Sequence, residues 1–382
     1  MSAVVPVATP VSTPYPAPAL PLPGTSPLRS WSTRAALISR VLGGAALGRI
    51  YKLNFDTTTH CNSRCLTCNV WKYYDEHPED AARELKSDEI AKIFARLPDS
   101  ITWLSLTGGE PFLREDFGET LKSAVEHIRG LKLIGIPSNG LTCDRMMRML
   151  EPVLSKPHPL IILSISLDGP EATHDRVRGV PGGFARSWAT YERIREWTKA
   201  DRNFHICVET TISRLNVDEV EPFLTGLVDG GHDVTITVGH EGALYHSIKR
   251  EEVSPEAQAD KVARIAEAVM SRKAVRNPKD MVGRAYLRRV PGYLRARDRM
   301  VVPCASLQAS ATINHFGEVV PCLMWARNLG DIRAHDYRLQ SVLDTAATKE
   351  ARAQIQAEKC PNCWTPCEAY QSLISRVVRL GR

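Results

Sequence analysis

Between about Lys52 and Met270 the chain switches repeatedly between two rhythms of apolar and polar residues. Segments near 52–58, 101–107, 131–137, 160–167, 204–212 and 233–239 read as strands, alternating every second residue. Stretches near 87–97, 116–129, 142–154, 184–199, 216–229 and 255–272 read as helices that separate or follow them. Six β/α units in series predict an α/β fold with a parallel sheet and helices on its outer face. The alternation itself is informative, because a strand covered on both faces should be nearly all apolar. In LIILSISLDG, Ile161, Leu163, Ile165 and Leu167 share one face, and Ser164, Ser166 and Asp168 the other. Ile206, Val208 and Ile212 oppose His205, Cys207, Glu209 and Thr211; Leu53 and Phe55 oppose Asn54, Asp56 and Thr58; Val234, Ile236 and Val238 oppose Thr235 and Thr237. A flat sheet with satisfied buried hydroxyls explains one or two such strands, not four. The pattern predicts a six-stranded sheet curled into an open barrel, its polar faces wrapped round a ligand cavity.

In such a fold the chemistry belongs at the C-terminal ends of the strands. The first strand runs into THCNSRCLTC, where Cys61, Cys65 and Cys68 place three thiols on one tight loop. Three thiolates can hold three irons of a cubic cluster and leave the fourth open. The second strand ends in Thr107-Gly108-Gly109-Glu110-Pro111, where paired glycines let the backbone approach a neighbour closely. The third ends in Pro137-Ser138-Asn139-Gly140 and the fourth in Ser166-Leu167-Asp168-Gly169-Pro170. Each is an ordinary turn alone; four on one rim point to a site.

The chain has 382 residues, 43% of them hydrophobic, and a net charge of +6. That is room for one large domain and a smaller one. Eight prolines between Pro6 and Pro27 and the absence of charge over residues 1–28 predict an extended, disordered tail over 1–30. Prolines that frequent exclude a membrane-spanning helix there. A basic amphipathic helix is expected over 31–50, with Trp31, Ala35, Ile38 and Leu42 as its apolar stripe and Arg34 and Arg40 off it. Docking on the main domain is its first reading, and peripheral contact with a membrane the alternative. Ten cysteines without a signal peptide, eight of them in metal-like groupings, place the chain in a reducing cytoplasm with thiols held for metal.

With those residues in hand, the chain resembles the radical S-adenosylmethionine (SAM) superfamily over roughly residues 50–270. Cys61, Cys65 and Cys68 after strand one, and Gly108, Gly109, Glu110 and Pro111 after strand two, are similar to its two hallmarks. The resemblance implies a partial (β/α)6 TIM-like barrel and a [4Fe–4S] cluster whose open iron chelates SAM. Gly108, Gly109 and Glu110 would cradle the methionyl amino end. Ser166 and Asp168 resemble cosubstrate contacts, Ser138 and Asn139 sit where a similar polar contact is found, and Arg178 would meet the methionyl carboxylate. The residue before the third cysteine, often aromatic in that family, is Thr67 here, with Trp71 close behind.

A second set of cysteines, Cys304, Cys322, Cys360, Cys363 and Cys367, follows residue 300. The segments ASATIN and EVVPC predict a hairpin turning at His315-Phe316-Gly317, which would bring Cys304 and Cys322 together. Cys360 and Cys363 offer two more ligands on a short loop. On spacing alone, structural zinc and iron–sulfur stand level. The resemblance extends to the SPASM and twitch extensions that carry auxiliary clusters, and it implies a small C-terminal α+β domain over 276–382. Five cysteines suffice for one auxiliary cluster, with Cys304, Cys322, Cys360 and Cys363 as first ligands and Cys367 as spare or exchanging with Cys363. Two [4Fe–4S] clusters are thus expected in all, with the barrel over 51–275.

Cys143 reads as a small core residue. Cys207 faces the predicted cavity, where a thiol could return a hydrogen atom to a substrate radical; Glu209 and Glu241 could act as bases, with His240 and Tyr245 near the rim. The implied activity is reductive cleavage of SAM and abstraction of hydrogen from a small-molecule or peptide substrate, fed by a reducing donor such as flavodoxin or ferredoxin. Arg284, Arg288, Arg289, Arg295, Arg297 and Arg299 read first as a solvated face. They leave RNA modification as a rival, although nucleic acid is not an expected partner. A non-enzymatic iron–sulfur or zinc scaffold is a second rival, and it leaves the GGEP turn and the polar strand faces unexplained.

Overall fold

The computed structural model describes residues 27–242, 249–275 and 277–380. Most of the expected proline-rich tail and the rim candidate Tyr245 lie outside the described residues. Six parallel strands, β1 (Lys52–Asp56), β2 (Trp103–Thr107), β3 (Leu133–Ser138), β4 (Leu160–Ser166), β5 (Phe204–Ile212) and β6 (Val234–Val238), lie side by side in sequence order. Helices Ser87–Ala95, Phe117–His127, Cys143–Leu154, Gly183–Trp197, Val220–Asp229 and Ala259–Arg272 cover one face. That face is the apolar one: Leu53, Phe55, Leu104, Leu106, Ile134, Ile161, Leu163, Ile165 and Val208 are fully buried. On the other face Ser105, Thr107, Ser164, Ser166, Glu209, Thr211, Thr235 and Thr237 are only half-buried. The two-residue period therefore separates a dry core from a polar lumen.

The C-terminal segment does not build a sheet of its own. β7 (Ser310–Ile313) pairs parallel with β1, and β8 (Glu318–Val320) and β9 (Gly330–Asp331) follow antiparallel, so one sheet runs β6-β5-β4-β3-β2-β1-β7-β8-β9. The β7–β8 turn falls at the expected place, with Gly317 at φ 88° in the left-handed region. The helix Pro366–Leu380 then crosses the inner side of β1 and β7. The Lys52 ammonium, over the Trp103 ring at 4.6 Å, donates to the Cys367 carbonyl at 2.6 Å. The Glu368 carboxylate accepts from Asn54 Nδ2 at 3.1 Å and from Ser310 Oγ at 2.5 Å. All four side chains are buried. Burial pushes Lys52 down and Glu368 up, while each charge favours the other's ionised form.

The helix Pro27–Leu47 docks on the main body through Leu37, Val41 and Ala45, which pack with Tyr51, Ala305, Ala309, Ile374 and Val378. Its Trp31–Leu42 stripe lies on the adjoining face, exposed to solvent. No described helix is long and apolar enough to cross a membrane.

Lys52→Met should destabilise the fold by about 3–5 kcal/mol, because it leaves the Glu368 carboxylate buried without a cation. The urea unfolding midpoint of the metal-free chain measures this. An unchanged midpoint would mean that both groups are already neutral in the folded state.

Candidate active site and second thiol set

The β1–β2 ladder continues beyond the strands and builds the first site. Thr57 N–H donates to Thr107 O at 2.8 Å, Gly109 N–H to Thr58 O at 2.7 Å and Glu110 N–H to His60 O at 2.8 Å. Gly108 sits at φ +127°, and a Cβ there would lie 2.3 Å from Thr58 O; one at Gly109 would lie 2.4 Å from His60 O. The two glycines are therefore required for the approach of the GGEP turn to the cysteine loop. From the other side, Arg64 N–H and Leu66 N–H donate to Arg178 O and Val177 O at 2.9 and 2.8 Å. Gly179, at φ +62°, passes so close that a Cβ would lie 2.3 Å from Arg64 O. Cys61, Cys65 and Cys68 are held between these two clamps.

Burial pushes the Cys61 and Cys68 thiols up to about 12 and also raises Cys65. A dry pocket that penalises bare thiolates suits them only opposite strong positive charge. A metal cluster supplies that, and a coordinated thiol is deprotonated. One cation is already present: Arg178 NH1 lies 3.9 Å from Cys65 Sγ, and its Nε donates to Asp168 Oδ2 at 2.6 Å. Asp168 is fully buried, and its other oxygen accepts Thr211 N–H at 2.9 Å. Its side chain thus orients Arg178.

Glu110 is 1% exposed. It accepts from Ser138 Oγ at 3.0 Å, Asn139 N–H at 2.7 Å and Phe112 N–H at 3.3 Å. Burial pushes its carboxyl up to about 7. Asn139 Nδ2 in turn reaches Asn62 Oδ1 at 2.7 Å and Ser63 Oγ at 3.1 Å, inside the cysteine loop. Pro111 is buried and opens the short turn that carries Phe112. Ser166, half-exposed at the end of β4, pairs in register with Glu209. Trp71 Nε1 meets Cys65 O at 3.5 Å, and its ring is covered by the Arg64 guanidinium at 4.9 Å.

The remaining candidates occupy different surroundings. Cys207 is fully buried, with its Sγ 3.4 Å from Ser164 Oγ. Glu209 stands half-buried above it in the lumen, its carboxyl raised by burial. Glu241 accepts from Arg297 NH2 at 2.6 Å. His240 is buried neutral: burial takes it down to about 3, Nδ1 meets Val238 O at 2.5 Å, and Nε2 accepts Trp364 N–H at 3.2 Å. Sequence reasoning passed over Asp56 at the end of β1. This carboxyl is buried, pushed up to about 7, and its Oδ1 has no hydrogen-bond partner among the described residues. Its place on the polar face of β1 was visible, but nothing local marked it from other polar positions. Glu368 was missed as well, since a single glutamate beside a cysteine carries no pattern.

The five C-terminal thiols converge. Cys304 and Cys322 are both pushed up, first by burial, then by the Glu368 and Cys363 charges. Cys360 bears on Cys304 and Cys363, and Cys367 on Cys322. The Thr365 hydroxyl lies 2.7 Å from Cys367 Sγ and 3.7 Å from Cys363 Sγ. Tyr286 straps this loop to the barrel: its hydroxyl donates to Trp364 O, and Trp364 Nε1 donates to its carbonyl, both at 3.2 Å. The arginine cluster is partly consumed by the fold. Arg284 bonds to carbonyls of Met270 and Lys273, Arg295 pairs with Asp260, and Arg297 with Glu241.

Comparison with known proteins gives this arrangement a class. The model of the Radical SAM superfamily matches residues 55–241, and that of SPASM, an iron–sulfur cluster-binding domain, matches residues 304–364. The chain belongs to the radical SAM superfamily. Within it, the chain carries a SPASM domain. It is 34% identical over 171 residues to an AdoMet-dependent heme synthase of Methanosarcina barkeri (strain Fusaro), covering 44% of each chain. It is 28% identical over 176 residues to the sporulation killing factor maturation protein SkfB of Bacillus subtilis (strain 168), covering 46% of this chain and 38% of that one. The chain thus spans less than half the length of these curated relatives. Its fold is similar to that of Streptococcus suis SuiB bound to precursor peptide SuiA, at 13% identity and a TM-score of 0.54, covering 89% of this chain and 75% of that one. A radical SAM domain takes a [4Fe–4S] cluster and SAM, and a SPASM domain takes further iron–sulfur.

Gly109→Ala should displace the cysteine loop, since its methyl would meet backbone that cannot yield. Iron after anaerobic reconstitution is expected to fall by about half by ligand counting, with an unchanged far-UV circular dichroism spectrum. Full iron content would show that the loop tolerates the shift.

Proposed function

We propose that this chain reductively cleaves SAM and uses the resulting 5′-deoxyadenosyl radical to take hydrogen from a small-molecule or peptide substrate in the polar lumen. Oxidation, epimerisation or bond formation would follow. Cys61, Cys65 and Cys68 would hold the first cluster, which supplies the electron for cleavage when bound. Glu110 is the observation that carries this reading. It is a buried carboxyl beside the cysteine loop, every hydrogen bond to it comes from a neutral donor, and burial holds it near neutrality. An ammonium group, such as the amino end of SAM, is the partner it lacks. Gly108, Gly109, Pro111, Ser138 and Asn139 would shape that cradle. Arg178, aimed by Asp168, would receive the carboxylate, and Ser166 would contact the nucleoside side.

Glu209 is the favoured base, because it faces the lumen without an ion pair to Lys or Arg among the described residues. Cys207 would return hydrogen from below it, and Glu241 would act only once released from Arg297. Cys304, Cys322, Cys360 and Cys363 would hold one auxiliary cluster, with Cys367 adjacent. Full ligation by protein would make that cluster an electron conduit. A cytoplasmic flavodoxin or ferredoxin would feed the first.

Reconstituted, reduced protein should release 5′-deoxyadenosine, read by chromatography; none from an iron-loaded chain would overturn the proposal. Iron should reach about eight per chain, and Cys61→Ala/Cys65→Ala/Cys68→Ala should keep about half of it while losing the product. About four irons and one zinc would assign the second site to structural zinc. Glu110→Gln should keep both clusters yet bind SAM about tenfold more weakly, the order of one charge-assisted hydrogen bond. Equilibrium dialysis measures it.

A further inference from the structure

We infer that the helix Pro27–Leu47 seats the protein on an anionic lipid bilayer, with the floor of the barrel against the membrane. The helix has two apolar faces. Leu37, Val41 and Ala45 are spent on the body of the protein. Trp31, Ile38 and Leu42, one turn or two apart on the adjoining face, are 75%, 40% and 44% exposed. Leu47, at the end of the same helix, is 63% exposed, and Val377, on the C-terminal helix packed against it, is 70% exposed. Five of the eight large apolar side chains exposed among the described residues therefore lie on this helix and the one packed against it. Such clustering marks an interaction surface rather than scattered exposure.

Charge selects the occupant. Arg34, Arg40, Arg49 and Arg376 are exposed on or next to these two helices. No Asp or Glu precedes Asp56 in the chain and none follows Glu368. Asp99, whose carbonyl holds Arg40, has its carboxylate paired with Arg129 at 3.0 Å. An exposed tryptophan and aliphatic stripe flanked by arginine, with the neighbouring Asp99 carboxylate already paired, fits the interface of a negatively charged bilayer.

Position agrees. Arg34 donates to Arg202 O, just before β5, and Arg40 to Asp99 O, just before β2. The helix thus lies under the N-terminal ends of the strands, and the cysteine rim at their other ends would face water.

Sedimentation of the full-length, reconstituted protein with vesicles tests this. Vesicles of phosphatidylcholine with about a third phosphatidylglycerol should carry the protein down, and those of phosphatidylcholine alone should not. Salt near 0.5 M should release it. Trp31→Ser/Ile38→Ser/Leu42→Ser should bind at least about tenfold more weakly while forming 5′-deoxyadenosine at the parent rate, because none of the three side chains belongs to the core. Arg34→Gln/Arg376→Gln is the second variant, and it should weaken binding to the anionic vesicles. Absence of sedimentation, equal binding to neutral vesicles, or a dimer in solution that the triple variant dissociates would each overturn the inference; the last would assign the stripe to a second copy of the chain. Failure of SAM cleavage leaves this readout intact.

Discussion

A sheet that curls with its polar face inward has to satisfy that face, and here the chain does so with its own C-terminal helix. Lys52, Asn54 and Ser310 would each be stranded in the lumen wall without Cys367 O and Glu368. Desolvating such groups unpaired costs several kcal/mol. The helix that brings these partners is also the one that carries Cys367 and follows Cys360 and Cys363. Satisfying the barrel wall and assembling the second thiol set are therefore one structural event. β1 sits at the centre of both, since its far end runs directly into the loop of Cys61, Cys65 and Cys68.

The lumen between the two thiol sets carries the residues with the least settled protonation. Asp56, Glu110 and Glu209 are all raised by burial, and so is Cys207, two residues before Glu209 on β5. Perturbed groups gathered in a cavity are a signature of function. The neutral His240, by contrast, is structural: its two nitrogens join the end of β6 to the Trp364 backbone beside Cys363.

Period and punctuation made the barrel legible. The six strands fall within about three residues of their expected bounds, because two-residue alternation survives any tertiary context that keeps one face dry. Cysteine spacing and the GGEP turn located the first site for the same reason: both are local. What escaped was long-range. Nothing in ASATIN says that it will pair with β1 rather than stand apart, and that pairing sets the register of Asn54 with Thr312, 258 residues away. The N-terminal helix shows a subtler limit. Two apolar stripes are present, and the one that stood out, Trp31–Leu42, is not the one the fold uses. Leu37, Val41 and Ala45 are smaller and weaker in pattern, but they match the narrow gap where Gly44 closes on Tyr51.

The parallel pairing of β1 with β7 also has a consequence in time. Synthesis from the N-terminus delivers β1 through β6 well before β7 exists, so for the length of more than seventy residues of elongation between Val238 and Ser310 the β1 edge of the nascent sheet is unpaired. Through that interval β1 offers unpaired backbone to any neighbouring chain, and the lumen lacks the helix that lines it. The segment that covers the β1 edge and lines the lumen is thus made well after the six strands it completes. A protein built this way can assemble its second thiol set only after the six-stranded sheet has been made.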